Sequence, residues 1–539
     1  MIPPRAGASA PAKLGVPRTL ADAGDAVRSD VGAAMFDDAD NAAPGRCCAW
    51  YASLGVMSLS LLLGFSPIPR DPDLWFHLAD GRHILATGAV PDTDPFSMTR
   101  VGAPWVPQSW LFDVGVAAAW ANVSPRALEA VMAVAFAATI MLSLALLLGR
   151  GVSPVTAAII CAAIALAAHT SRGVRPQVLS LLACNVVIYV LFRHDRVGPR
   201  LRGLVLLPPM FLLWAQVHSA CVLGLIVACA WLGGRAADLA EDGTAPTTPE
   251  HGRPGSGVAG AGRLAPALVA IVVSAGAILV TPHRSTHFGY VAQTIGLSHL
   301  GRVLEWQAPR ALTLSAPHVY VYVLLAGIML LLARRGRQAG WAEIGVCVGL
   351  IVLGLSAIRH VPLACIGSVP LLGELLGAPR DASAVGRSGW AGFVGRRWWR
   401  SVVATAACAV VVLAAPWGRS GAAADRYARY EPVHGAAALA SSGRAWRVFT
   451  TYNTGSYVLY AGGPRVKVFV DSRADVYGDE LLDAAYRARA GVGWAQLFAT
   501  WRIDAAVVER ADALASILAD DADWILAAED TRTLTFQKR

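Results

Sequence analysis

Apolar runs about as long as a bilayer core is thick recur along this chain, separated by short polar stretches. They fall near 48–66, 126–148, 153–170, 175–192, 201–215, 218–233, 264–281, 318–333, 341–358, 361–377 and 402–416. Read as spans, they predict a polytopic α-helical membrane protein of about eleven transmembrane helices. The runs 201–215 and 218–233 count separately, because one fused helix would be about 50 Å long against a core of about 30 Å. The polar "WAQVHS" at 214–219 marks the break. The run "SWLFDVGVAAAWANV" at 109–123 stays out of the count, since including it would reverse every later loop. Asp113 inside it suits a helix lying in the membrane interface.

Outside the spans the pattern divides the chain. Residues 1–46, rich in Ala, Asp, Arg and Pro, read as a disordered cytoplasmic tail, and 241–262 as a flexible low-complexity loop. A transmembrane domain occupies 47–416, with a long outer loop at 67–125. From 417 to 539 short apolar strands, "WRVFTTY", "VKVFVDSR", "AAVVER", "WILAAED" and "TLTFQK", alternate with helices near 433–441, 480–500 and 511–519. That predicts a C-terminal soluble α/β domain. It contains no glycine-rich phosphate loop, so no nucleotide site is indicated.

Composition and charge sharpen this picture. Of the 539 residues 55% are hydrophobic and only 15% charged, where soluble domains carry about a quarter. The net charge of +9 comes from arginines clustered in short loops, at 193–202, 334–337 and 380–400. This is the positive-inside signal, so nucleic acid is excluded as a partner and those loops face the cytoplasm. Alternation then puts the N-terminus inside and the C-terminal domain outside, periplasmic or extracellular, on a multi-pass inner-membrane protein. The nine cysteines sit in or beside apolar spans without ligand spacing, as small apolar residues do.

The same alternation brings the unusual charges to one side. Asp71, Asp73, Asp80, Asp92 and Asp94 crowd the first outer loop, while Arg172, Arg175, Arg284, Arg302 and Arg359 occupy outer span ends against the positive-inside bias. Ionisable groups at such positions are site candidates. Asp71 and Asp73, held about Pro72, can share a divalent cation such as Mg or Mn, or one can serve as a general base. They equally suit capping of a helix from Leu74 to Ala86. Asp80, Asp92 and Asp94 favour structural roles.

Arg175, Arg359 and Arg172 offer forks for a phosphate, although lone arginines also snorkel to headgroups. His218 lies at the broken helix pair, and His360 and Gln177 sit beside the two arginine corners. Glu305 and Trp306 add an acid and an aromatic platform of the kind that holds sugars, or an interfacial anchor. These groups together suit transfer of a sugar from a polyprenyl-phosphate donor to a glycan or protein acceptor. The arginines would hold the phosphate, and Asp73 would deprotonate or orient the acceptor hydroxyl. A transporter or flippase of lipid-linked saccharide ranks behind, because the inner halves of the spans are almost wholly apolar and no inverted repeat is visible. A non-catalytic glycan-binding assembly protein is the third reading. "DSRADVYGDE" gathers Asp471, Arg473, Asp475 and Asp479 at a strand end, as a ligand site or as a network fixing a turn.

The segments "DPDLWFHLADGRHILATGAVPDTDPFS", "GAPWVPQSWLFDVG", "RPQVLSLL", "WAQVHSACVLGLIV", "TPHRSTHFGY", "LEWQAP", "RHVPLACI" and "TYNTGSYVLYAGGPRVKVFVDSRADVYGD" resemble bacterial multi-pass proteins of the glycosyltransferase C-type (GT-C) fold. The resemblance runs from about residue 48 to the C-terminus. It implies a lipid-phosphate sugar donor and an essential acid in the first outer loop, a position filled by Asp71 and Asp73, with Asp73 preferred. The chain departs from that pattern at Gln216 and Ser219, where Asn and Gly are usual, and at Phe76, where a second Trp is common. His218 is retained.

Overall fold

The computed structural model describes residues 48–65, 72–197, 201–244, 258–286, 288–290, 304–310, 318–336, 339–377 and 429–539. Asp71, Arg302 and the expected span at 402–416 lie outside them. Among the described residues the protein is mostly helical, with one five-stranded sheet near its C-terminus. Three helices among the described residues are long and apolar enough to cross a membrane: Pro125–Gly149, Pro176–His194 and Cys221–Glu241. Five shorter apolar helices accompany them, Cys48–Gly64, Pro154–Ala168, Leu207–Val217, Leu264–Ile278 and Trp341–Ser356.

Local chemistry sets the helix starts. Ser124 accepts from Ala127 N (3.1 Å) and Ser153 from Thr156 N (3.2 Å), each followed by proline in the first turn. The chain breaks at His218, whose extended backbone (φ −167°, ψ 142°) separates Leu207–Val217 from the helix beginning at Cys221. A second tight reversal, the one-turn Ile358–His360, joins Trp341–Ser356 to Val361–Leu376.

From Pro72 onward the outer loop is built on two helices. Its first helix spans Asp73–Thr87, with Pro72 at the N-cap making no side-chain cap, and the expected capping by Asp73 is not what the chain does. Asp73 is the first helical residue, its carboxylate turned to Arg175 instead, and the capping expected of Asp71 lies outside the described residues. This helix packs on Trp110–Asn122 at Gly81, where an added Cβ would lie 2.0 Å from the Asp113 carbonyl oxygen. That backbone approach presses His77 and Asp80 against Asp113.

The sheet comprises β1 (Trp446–Phe449), β2 (Val466–Val468), β3 (Ala505–Glu509), β4 (Trp524–Glu529) and β5 (Thr533–Lys538), in the order β2-β1-β3-β5-β4. β1 pairs parallel with β2 and β3, while β3–β5 and β4–β5 are antiparallel. Alternation along β3 feeds two cores. Ala505 and Val507 pack with Leu439, Val458 and Leu459 on one face, and Ala506 and Val508 with Leu482, Leu514 and Leu518 on the other. The outer loop continues the sheet beside β2, where Ser97 pairs parallel with Val468 and Met98 N donates to Val468 O (2.9 Å). The outer loop and the C-terminal sheet therefore fold together, and Ala52–Arg539 forms one compact unit.

Candidate active site

The site is built at helix tips. Pro176 starts its helix and leaves Arg175 just ahead of it, while the Ile358–His360 reversal presents Arg359. The loop turn Leu304–Trp306 is tied to that reversal by Ile358 N donating to Gln307 O (2.9 Å). As a result Glu305 Oε2 accepts from Arg175 Nη1 (2.9 Å) and Glu305 Oε1 from Arg359 Nη1 (3.4 Å). Arg175 Nη2 also lies 3.6 Å from Asp73 Oδ2. Arg359 stacks 4.3 Å over the Trp306 ring, and Trp306 meets His360 edge-on at 6.0 Å. Burial alone would raise the Glu305 pKa, but Arg359 and Arg175 hold it below the usual carboxylate range.

Two clefts adjoin this cluster and share Gln177 and His218 in their walls. One, of about 460 Å³, is polar and lined by Asp73, His77, Trp105, Asp113, Arg473 and Asp475. The other, of about 530 Å³, is lined by Leu181, Cys184, Trp214, Leu223, Arg359 and His360. His218 Nδ1 lies 2.9 Å from Ser180 Oγ, which also accepts from Trp214 Nε1 (2.9 Å). Burial and the neighbouring Arg359 push the His360 pKa down to about 4, so its imidazole is neutral at pH 7.

Behind the polar cleft lies a buried acidic layer. His77 Nδ1 is 2.5 Å from Asp113 Oδ1, and Ser109 Oγ donates to the same carboxyl (3.1 Å). Burial pushes Asp113 up to about 8, against the pull of Asp80 and Ser109. Asp80, fully buried and making no hydrogen bond of normal geometry, is raised well above the carboxylate range by burial and then by the Asp113 charge. Two such carboxyls cannot both ionise, so Asp80 keeps a proton.

The C-terminal sheet contributes the roof. Arg473 forks onto Asp471 (Nε–Oδ1 2.9 Å, Nη2–Oδ2 2.7 Å) and reaches across to Asp94 of the outer loop (2.9 Å). Asp94 also accepts from Phe96 N (3.1 Å) and Ser97 N (3.2 Å), a turn-forming role. In the "DSRAD" segment Arg473 fixes the turn, and Asp475 lines the polar cleft. Burial raises the Asp475 pKa, with Arg473 pulling it back. Tyr452 is raised well above the phenol range by burial and by the Asp73 and Glu305 charges, which keeps its hydroxyl protonated beside them.

Of the residues expected from sequence, Asp73, Arg175, Arg359, His218, Glu305, Trp306, Gln177 and His360 come together around these clefts. Arg172 ends the His169–Ser171 turn and lines neither cleft. Among the described residues no group of three or more His, Cys, Asp or Glu is arranged to hold a metal ion. Asp71, the other half of the candidate cation pair, lies outside them. Sequence reasoning left out His77 and gave Asp113 only an interfacial role, whereas Asp475 was among the acids singled out at the strand end. His77 had a signal, standing four residues after Asp73 on one helical face. The place of Asp113 depends on contacts between distant segments.

No family model and no curated protein matches the chain. Among solved structures it is similar to the archaeal oligosaccharyltransferase AglB from Archaeoglobus fulgidus, in complex with an inhibitory peptide and a dolichol-phosphate. That match has 11% identity and a TM-score of 0.47, covering 86% of this chain and 69% of the other. The Archaeoglobus fulgidus oligosaccharyltransferase complexed with Zn and sulfate matches at 12% and 0.46, covering 85% and 68%. ArnT from Cupriavidus metallidurans bound to undecaprenyl phosphate matches at 14% and 0.44, covering 90% and 97%.

Proposed function

We propose that the protein is a membrane glycosyltransferase of the GT-C type, moving a sugar from a polyprenyl-phosphate donor to a glycan or protein acceptor at the outer face of the membrane. The observation that carries this reading is the shared wall. A carboxylate-lined cleft and an apolar cleft adjoin at Gln177 and His218; Arg359 lines the apolar one, and Arg175, two residues before Gln177, meets Asp73 of the polar one. The isoprenoid tail lies along Leu181, Trp214 and Leu223, its phosphate at Arg175 and Arg359, and the sugar in the polar cleft.

The acceptor oxygen attacks the anomeric carbon and the bond from that carbon to the phosphate oxygen breaks. The electron pair leaves with polyprenyl phosphate, and the acceptor proton passes to Asp73. A single displacement of this kind inverts the anomeric centre. Arg175, 3.6 Å away, positions the Asp73 carboxylate. Should Asp71 and Asp73 hold a divalent cation, it would add charge stabilisation at the leaving phosphate.

Purified protein in lipid nanodiscs, supplied with polyprenyl-phosphate hexoses and pentoses and with membrane glycans as acceptors, tests the reading. Wild type transfers label; Asp73→Asn loses at least about 10²-fold in rate with unchanged folding. Unchanged turnover in Asp73→Asn removes the base assignment. Donor crossing the bilayer without transfer would identify a flippase, and binding without turnover an assembly protein.

A further inference from the structure

The two arginines that the donor phosphate needs are already occupied. Each oxygen of the Glu305 carboxylate takes one guanidinium, Arg175 at 2.9 Å and Arg359 at 3.4 Å, and Asp73 stands 3.6 Å from Arg175. Two cations and two carboxylates cancel within this cluster. His360, neutral at pH 7, adds no charge to it. An incoming anion would meet as much repulsion as attraction while Glu305 stays in place.

We propose that Glu305 is the resident occupant of the donor's anion site, and that the donor phosphate binds by displacing its carboxylate from Arg175 and Arg359. This rests on the lipid-phosphate donor reading above. Three features make Glu305 the group that moves. It sits in the single turn Leu304–Trp306, whereas Asp73 and Arg175 stand at the starts of long helices and the Arg359 turn joins two of them. Its side chain is the most exposed of the four, at 31% against 19%, 18% and 15%. Arg359 remains supported by its stacking on Trp306 when Glu305 leaves. The exchange is also balanced, because a sugar phosphodiester carries one negative charge and replaces one.

The consequence is an affinity for phosphate that the protein's own acid holds down. Undecaprenyl phosphate is titrated into full-length protein in phosphatidylcholine nanodiscs, with phosphatidylglycerol and inorganic phosphate as separate arms. Glu305→Gln, which keeps the shape and removes the charge, tightens undecaprenyl phosphate binding about tenfold. Glu305→Asp, which keeps the charge, stays near wild type and controls for folding, and Arg359→Gln weakens binding about tenfold or more. Binding by wild type that Glu305→Gln leaves unchanged or weakens overturns the displacement while the donor reading stands. No binding by either form overturns both. An equal gain for phosphatidylglycerol or inorganic phosphate overturns the tie to an isoprenoid ligand.

Discussion

Asp80 and Asp113 place two buried carboxyl groups at the inner wall of the polar cleft, in helices that are not among those long and apolar enough to cross a membrane. Their folded pKa values lie above those of the unfolded chain, so the folded protein binds more protons than the unfolded one between the ordinary carboxylate range and about 8. Stability therefore falls as pH rises through that window. Asp80→Asn, which mimics the protonated form, should raise the melting temperature at pH 8 by several degrees more than at pH 5, a difference read by thermal unfolding in detergent. An equal shift at both pH values would contradict a proton held on buried Asp80. At this scale the sequence made Asp73, Arg175, Arg359 and Glu305 visible as charges against the expected bias. It could not show that Glu305 would neutralise both arginines, or that His77 and Asp113 would meet, because such pairings depend on which distant loops approach.

The element that organises the site is the pair of outer-loop helices, Asp73–Thr87 and Trp110–Asn122, in contact at Gly81. Gly81→Ala puts a methyl group 2.0 Å from the Asp113 carbonyl oxygen, an overlap only backbone movement can relieve. The expected cost is about 3 kcal/mol, with a matching drop in the unfolding midpoint. A Gly81→Ala protein of wild-type stability would mean the two helices are not packed this closely. Much of the architecture at this scale was legible. The five apolar strand segments of the C-terminal region each contain one of the five strands. The expected helix at 480–500 divides into Ala474–Arg489 and Trp494–Trp501, because Gly491 and Gly493 take positive φ values (81° and 70°) between them. The helix Gly455–Gly462 was not anticipated. Its glycines weigh against helix by propensity, and packing of Val458 and Leu459 on the sheet overrides that.

Across the whole molecule, charge gathers at the two ends of the same helices. Trp341–Ser356 and Val361–Leu376 carry Arg359 at their junction and Glu343 and Glu374 at their far ends. At that far end Arg150 bridges Glu343 (3.0 Å) and Glu374 (2.8 Å), and Arg235 joins through Glu343 (2.7 Å), forming a buried network that ties the helix ends together. At the near end the outer loop, the arginine tips and the C-terminal sheet converge. Arg473 bridges Asp94 and Asp471, and Lys467 Nζ donates to Pro95 O (2.6 Å). Periodicity and charge bias could sort loops by side, but the addition of Ser97 to the edge of the sheet joins segments with no periodic relation, and only the folded chain reveals it.

The central claim is that outer-loop carboxylates and arginines from separate helix tips form one site on one side of the membrane, roofed by the C-terminal sheet. Single cysteines introduced at Asp73, Arg175, Glu305 and Asp475, with the nine native cysteines replaced, test it through labelling of intact cells by a membrane-impermeant maleimide. All four positions should react without permeabilisation. If Asp73 and Arg175 instead labelled from opposite sides of the membrane, the account would be contradicted.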